Sequence, residues 1–127
     1  MNKTENRFFK GRLKSFRYAF KGAFLLLRTE HSVIAQFIIA ILSIFLGFLF
    51  GITKTEWLFQ ILTIGLVLSI EGLNTAIEKL CDFIHPDHHK KIAVIKDIAA
   101  GAVIFAALTA LVVGLIIYLP YFYEKLF

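Results

Sequence analysis

The residues of this chain best suited to chemistry lie in Ser69-Ile70-Glu71-Gly72-Leu73-Asn74-Thr75-Ala76-Ile77-Glu78 and continue to Asp82. Glu71, Asn74, Glu78 and Asp82 fall at i, i+3, i+7 and i+11, which sets three carboxylates and an amide on one face of a helix. Glu71 closes a long apolar run, and an acidic side chain inside a membrane helix costs about 2.5–3.5 kcal/mol on insertion scales. No structural need explains that cost, so these residues read as a functional site. Carboxylates crowded away from water disfavour one another's ionised forms, and a divalent cation reverses the effect. Oxygen donors of this kind suit Mg²⁺, which is usually shared with substrate phosphates. Glu30, Lys96 and Asp97 stand at the ends of neighbouring apolar runs, on the same side. Acidic metal ligands, a lysine and a general base are the minimum set for phosphoryl transfer. No Walker A, Gly-rich kinase loop, HRD or DFG motif is present, which excludes the soluble kinase folds.

The elements that must position these groups follow from composition. The chain has 127 residues, 58% of them hydrophobic, with a mean hydropathy of +0.76. Soluble domains are about 45–50% apolar, so the excess belongs in a bilayer. We read 1–127 as a single all-α integral membrane domain: an amphipathic interfacial helix over 7–29, then transmembrane helices over 33–50, 57–80 and 98–119. In the first segment Phe9, Leu13, Phe16, Phe20, Phe24 and Leu27 share one side. Lys10, Lys14, Arg17, Lys21 and Arg28 share another, the pattern of a helix lying at the lipid headgroups. Trp57 opens the second span as an interfacial anchor. The third ends at Pro120 and an aromatic belt of Tyr121, Phe122 and Tyr123.

Eight of the fourteen basic residues precede His31. Lys79, Lys90, Lys91 and Lys96 follow the second span, whereas the 51–56 turn has Lys54 and the tail Lys125. The positive-inside rule then predicts a multi-pass plasma-membrane protein with its N-terminus and second loop cytoplasmic and its C-terminus outside. The net charge of +5 sits beside apolar segments, which points to anionic lipid and away from nucleic acid. No cleavable signal peptide is expected, since basic and aromatic residues alternate before the first apolar run at Val33. Cys81, alone, forms no internal disulfide and reads as a packing residue. Ala99, Ala106, Ala110 and Gly114 make a small-residue stripe for close helix approach, and Gly47 and Gly51 a GxxxG. Three helices barely enclose a polar site, so self-association is expected.

Arg12-Leu-Lys-Ser-Phe-Arg-Tyr-Ala-Phe-Lys-Gly22, Glu71-x-x-Asn74-Thr75-Ala76-x-Glu78 and Lys96-Asp97-x-Ala99-Ala100-Gly101-Ala102-Val103 resemble the prokaryotic diacylglycerol kinase family, which includes undecaprenol kinases. The likeness runs from about Asn6 to Pro120 with the motifs in order. It implies an ATP-dependent kinase for a membrane lipid alcohol, undecaprenol or diacylglycerol, working in the lipid bilayer as a homotrimer with composite sites. By resemblance Glu71 is the catalytic base, and Glu30 and Glu78 hold Mg²⁺ on the ATP phosphates. Asn74 orients the site with Glu71, and Tyr18, Lys96 and Asp97 contact the nucleotide, which Asp87, His88 and His89 approach from the loop. Gly72 stands where the family usually has a bulky aliphatic, and a looser helix beside the base is expected there. His31-Ser32-Val33-Ile34 replaces a stretch that usually carries an arginine.

The rival reading is a non-enzymatic oligomer forming a proton or cation pathway lined by Glu71 and Glu78. Such a pathway has no use for Glu30, Lys96 or Asp97. His85, His88 and His89 lie in a Pro-containing polar loop and read as solvated, not as metal ligands.

Overall fold

The computed structural model describes residues 2–127, and every regular element among them is helical. In order they are α1 (Lys3–Thr29), α2 (His31–Phe50), α3 (Lys54–Ile84) and α4 (Lys90–Leu126). The last three are long and apolar enough to cross a membrane. The protein is a multi-pass membrane protein of the expected all-α class.

Helix α1 starts a turn earlier than its amphipathic pattern predicts, because Asn2 and Glu5 form a capping box. The Asn2 side chain accepts from the Thr4 and Glu5 amides at 2.9 and 3.0 Å, and Glu5 Oε2 accepts from the Asn2 amide. Its residues are exposed as far as Leu25, and Leu26 and Leu27 are its first half-buried positions. A Phe/Leu stripe with no protein against it suits lipid contact. Glu30 alone separates α1 from α2. Its backbone is extended (φ −101°, ψ 109°), its amide donates to the Leu26 carbonyl, and its own carbonyl accepts from Ile34.

Two devices set the turn between α2 and α3. Gly51 takes the left-handed conformation at φ 62°, so that its amide and that of Ile52 reach back to the Phe48 and Gly47 carbonyls. Thr53 and Glu56 then form a second capping box. The two glycines therefore act separately. Gly51 ends a helix, while Gly47 is buried under the Trp57 indole, where a Cβ would lie 2.6 Å from the ring. Trp57 also meets Phe48, 4.9 Å between ring centroids, so it packs inside the protein as well as marking the start of a span.

Helices α3 and α4 make the most extensive contact in the bundle. Val67, Glu71, Thr75 and Cys81 are buried on α3, and Ala99, Ala106 and Ile117 on α4. The burial of Cys81 fits a packing role. Helix α4 does not stop at Pro120 but runs on to Leu126. A proline removes one N–H donor, and within membranes the freed carbonyl is accommodated locally. Beyond it Phe50 gathers the aromatic end of the bundle. Tyr121 stacks on it at 5.7 Å, Phe122 meets it edge-on at 4.9 Å, and the Lys125 ammonium sits 5.3 Å over its ring.

Candidate active site

The other end of the bundle carries the acidic residues. Glu71 and Thr75 are one turn apart on α3, 5% and 4% exposed, and Asn74 and Glu78 continue the same side. Among the described residues none donates a hydrogen bond to the Glu71 carboxylate, and neither ion pair includes it. Asn74 Nδ2 donates to Glu78 Oε1 at 3.2 Å, which turns Asn74 Oδ1 inward, buried and without a partner. A buried acceptor left unpaired costs about 1–3 kcal/mol. A buried glutamate beside a buried, unpartnered amide oxygen marks the face as a candidate binding surface.

Glu30, at the α1–α2 joint, reaches α3 beside this face, where it accepts from Lys79 Nζ at 3.1 Å. Leu26, one turn earlier, leans on Gly72. A Cβ at Gly72 would meet Leu26 Cδ1 at 3.1 Å. Helix α3 is continuous through Gly72, and Leu26 lies in the space a larger side chain would take. Lys79, read in the sequence only as an orientation charge, is thus the residue that holds Glu30 in place.

A second cluster forms where α3 ends and α4 begins. Lys96 Nζ donates to Asp82 Oδ1 at 2.5 Å, and that hydrogen bond raises the Lys96 pKa above its ordinary value. The loop residues Asp87, His88 and His89 border a shallow recess together with Lys96. The His85 ring meets the Asp87 carbonyl at 2.7 Å and the His89 ring at 5.1 Å, and His89 Nδ1 accepts from the Lys91 amide to start α4. Of the residues expected at a nucleotide site, the structure gathers Asp87, His88, His89 and Lys96. Asp97 is exposed beside them. Tyr18 is not brought in. It is 68% exposed on α1, twelve residues before Glu30, about 18 Å along the helix.

Among the described residues no three His, Cys, Asp or Glu side chains are grouped as a ready metal cage. The donors nevertheless fit Mg²⁺, which takes one or two carboxylates and completes its octahedron with waters and substrate phosphates. Glu78 and the unpaired Asn74 Oδ1 supply oxygen alone, and Glu30 joins them only if it leaves Lys79.

The family described as prokaryotic diacylglycerol kinase matches residues 17–118. An undecaprenol kinase of Bacillus subtilis is 40% identical over 115 residues, 91% of this chain and 90% of that protein. A diacylglycerol kinase of Synechocystis is 33% identical over 109 residues, 85% of this chain and 62% of that protein.

Proposed function

The chain belongs to the prokaryotic diacylglycerol kinase family and is a membrane lipid kinase, and on that premise we propose that it phosphorylates undecaprenol with ATP. The carrying observation is Glu71, a buried glutamate whose carboxylate accepts no hydrogen bond among the described residues, at the acidic end of a membrane helix. Its carboxylate accepts the proton of the lipid hydroxyl as the hydroxyl oxygen bonds to the γ-phosphorus. The bond to the β–γ bridging oxygen breaks, and ADP leaves with the electron pair. Asn74 and Glu78, joined by their hydrogen bond, orient the groups around the base. Glu78, Asn74 Oδ1 and Glu30 would hold Mg²⁺, which offsets the charge on the transferring phosphate. Lys96 and the His88–His89 loop receive the nucleotide from the cytoplasm, the side on which the basic residues also put the N-terminus. Three copies complete the site. The sparse burial within one chain, with no large side chain among the described residues fully buried, supports assembly.

The proton or cation pathway is not favoured, because the family is one of kinases. Undecaprenol is preferred over diacylglycerol on the greater likeness, and over more of both chains, to the Bacillus protein. The test is transfer of labelled phosphate from Mg-ATP in mixed micelles containing undecaprenol or diacylglycerol, assayed side by side. A higher kcat/KM with undecaprenol supports the proposal, and a higher value with diacylglycerol refutes the choice of acceptor.

A further inference from the structure

A cavity of about 240 Å³ lies between α2, α3 and α4. Ala40, Ile64, Val67, Ala110, Gly114 and Tyr118 are among its walls, which are mostly apolar. The small-residue stripe of α4 was expected to bring helices together, and at Ala99 and Ala106 it does, since both are buried. Gly114 departs from that pattern. A Cβ built there meets nothing within 4 Å. Glycine inside a helix costs about 0.5–1 kcal/mol relative to alanine, and here no neighbouring backbone uses the room it leaves. Gly114 lines the cavity, so the room left by its missing side chain belongs to that space.

The cavity has a direction. Its walls on α3 include Gln60, Ile64 and Val67, at i, i+4 and i+7, and the next residue on that face is Glu71 at i+11. Val67 and Glu71 are both buried, one turn apart. From Gln60 to Glu71 the helix rises about 16 Å, roughly half a hydrocarbon core. The far end is closed by paired polar groups. The Tyr118 hydroxyl lies within reach of both Gln60 Oε1 and the Ser43 carbonyl, and Gln60 Nε2 donates to that carbonyl at 3.2 Å. Those groups satisfy one another, so apart from Gln36 and Thr63 on its walls the slot presents mostly hydrocarbon, with a carboxylate beyond its other end.

A lipid alcohol in a bilayer keeps its hydroxyl at the headgroups and its chain towards the midplane, the same order as Glu71 followed by this slot. We propose that the slot binds the hydroxyl-proximal part of a single acceptor chain, and that Gly114 sets the room for it. The inference rests on the kinase reading and deepens it: a slot of about 240 Å³ that takes one chain would favour a one-chain polyprenol over a two-chain glyceride. A hydrocarbon chain from an ordinary bilayer lipid has the same chemistry, and kinetics separate the two sources.

The experiment compares wild type, Gly114→Ala, Gly114→Leu and Gly65→Leu, with Mg-ATP and prenols of one, four and eleven isoprene units. Gly65 is exposed and equally free of contacts, so it serves as the surface control. Gly114→Leu should raise KM for the two longer prenols about tenfold, as expected from losing one buried branched unit. Gly114→Ala should do so to a smaller extent. The one-unit prenol, the KM for ATP and all values for Gly65→Leu should stay unchanged. Unchanged long-chain KM in Gly114→Leu would mean that a bilayer lipid or nothing fills the slot, and overturns the inference. Equal losses for every prenol, or a changed oligomer on cross-linking, would assign the cavity to packing or to a second copy and also overturn it. No transfer by wild type to any prenol or diacylglycerol would instead overturn the kinase reading beneath it.

Discussion

Replacing Glu71 by glutamine should separate activity from stability, and the structure supplies both magnitudes. The substitution keeps shape and removes the proton acceptor. General-base catalysis contributes about 10²–10⁴-fold, so kcat with undecaprenol should fall by that factor, about 3–5 kcal/mol in the barrier. Stability should move the other way or not at all. The Glu71 side chain is 5% exposed and receives no hydrogen bond among the described residues, so glutamine breaks none. It also relieves a membrane helix of an acidic group that costs about 2.5–3.5 kcal/mol to insert. The assay pairs initial rates of labelled phosphate transfer in mixed micelles with thermal unfolding followed by Trp57 fluorescence. The expected result is a collapsed kcat at an equal or higher unfolding temperature. A variant that keeps more than about a tenth of wild-type kcat, or loses activity only because it unfolds, would refute the role given to Glu71.

Other consequences are open to measurement. Gly47→Ala drives a methyl into the Trp57 ring, 2.6 Å away, and should lower stability to SDS or heat by about 1–3 kcal/mol with an altered Trp57 emission. Glu56, outside the apolar run, is held below the ordinary carboxylate pKa, first by the Tyr121 hydroxyl at 2.5 Å and then by the Thr53 amide. Its contribution is therefore full above the ordinary glutamate value and is lost as pH falls through the lowered one. Thermal unfolding of wild type should show an acid-sensitive step there, and Tyr121→Phe should weaken it; an identical pH profile in both would count against the pair. Lys79→Met should leave the unfolding temperature nearly unchanged, as surface ion pairs contribute about 0–1 kcal/mol. It should lower the Mg²⁺ concentration for half-maximal rate if the freed Glu30 binds the cation.

The sequence carried more of the acidic face than of its partners. Spacing alone put Glu71, Asn74 and Glu78 together, because helical period is a local property. It did not reveal that Lys79 holds Glu30 or that Asp82 holds Lys96, since both pairs join different elements across a fold that periodicity does not describe. Helix ends followed the same division. Asn2 and Glu5 carry a readable capping signal, but the apolar stripe that defines the amphipathic pattern begins only later. Pro120 predicts a stop because proline breaks helices in water, whereas this helix continues through it. Gly72 and Gly114 had opposite fates, one filled by Leu26 and one left open, and a lone sequence cannot distinguish them. The slot along Gln60, Ile64 and Val67 needed three helices in place before it existed at all.

Sidedness offers the most direct test of a site fed with nucleotide from one face and with lipid from within the bilayer. The protein would be reconstituted with undecaprenol in sealed vesicles, sorted by the accessibility of the 85–89 loop to a loop-directed reagent, and given Mg-ATP outside only. Phosphoryl transfer confined to vesicles with that loop exposed, and abolished by Glu71→Gln, is the predicted result. Transfer from the opposite face, or a Glu71-dependent proton leak with no phosphorylated lipid, would contradict the account.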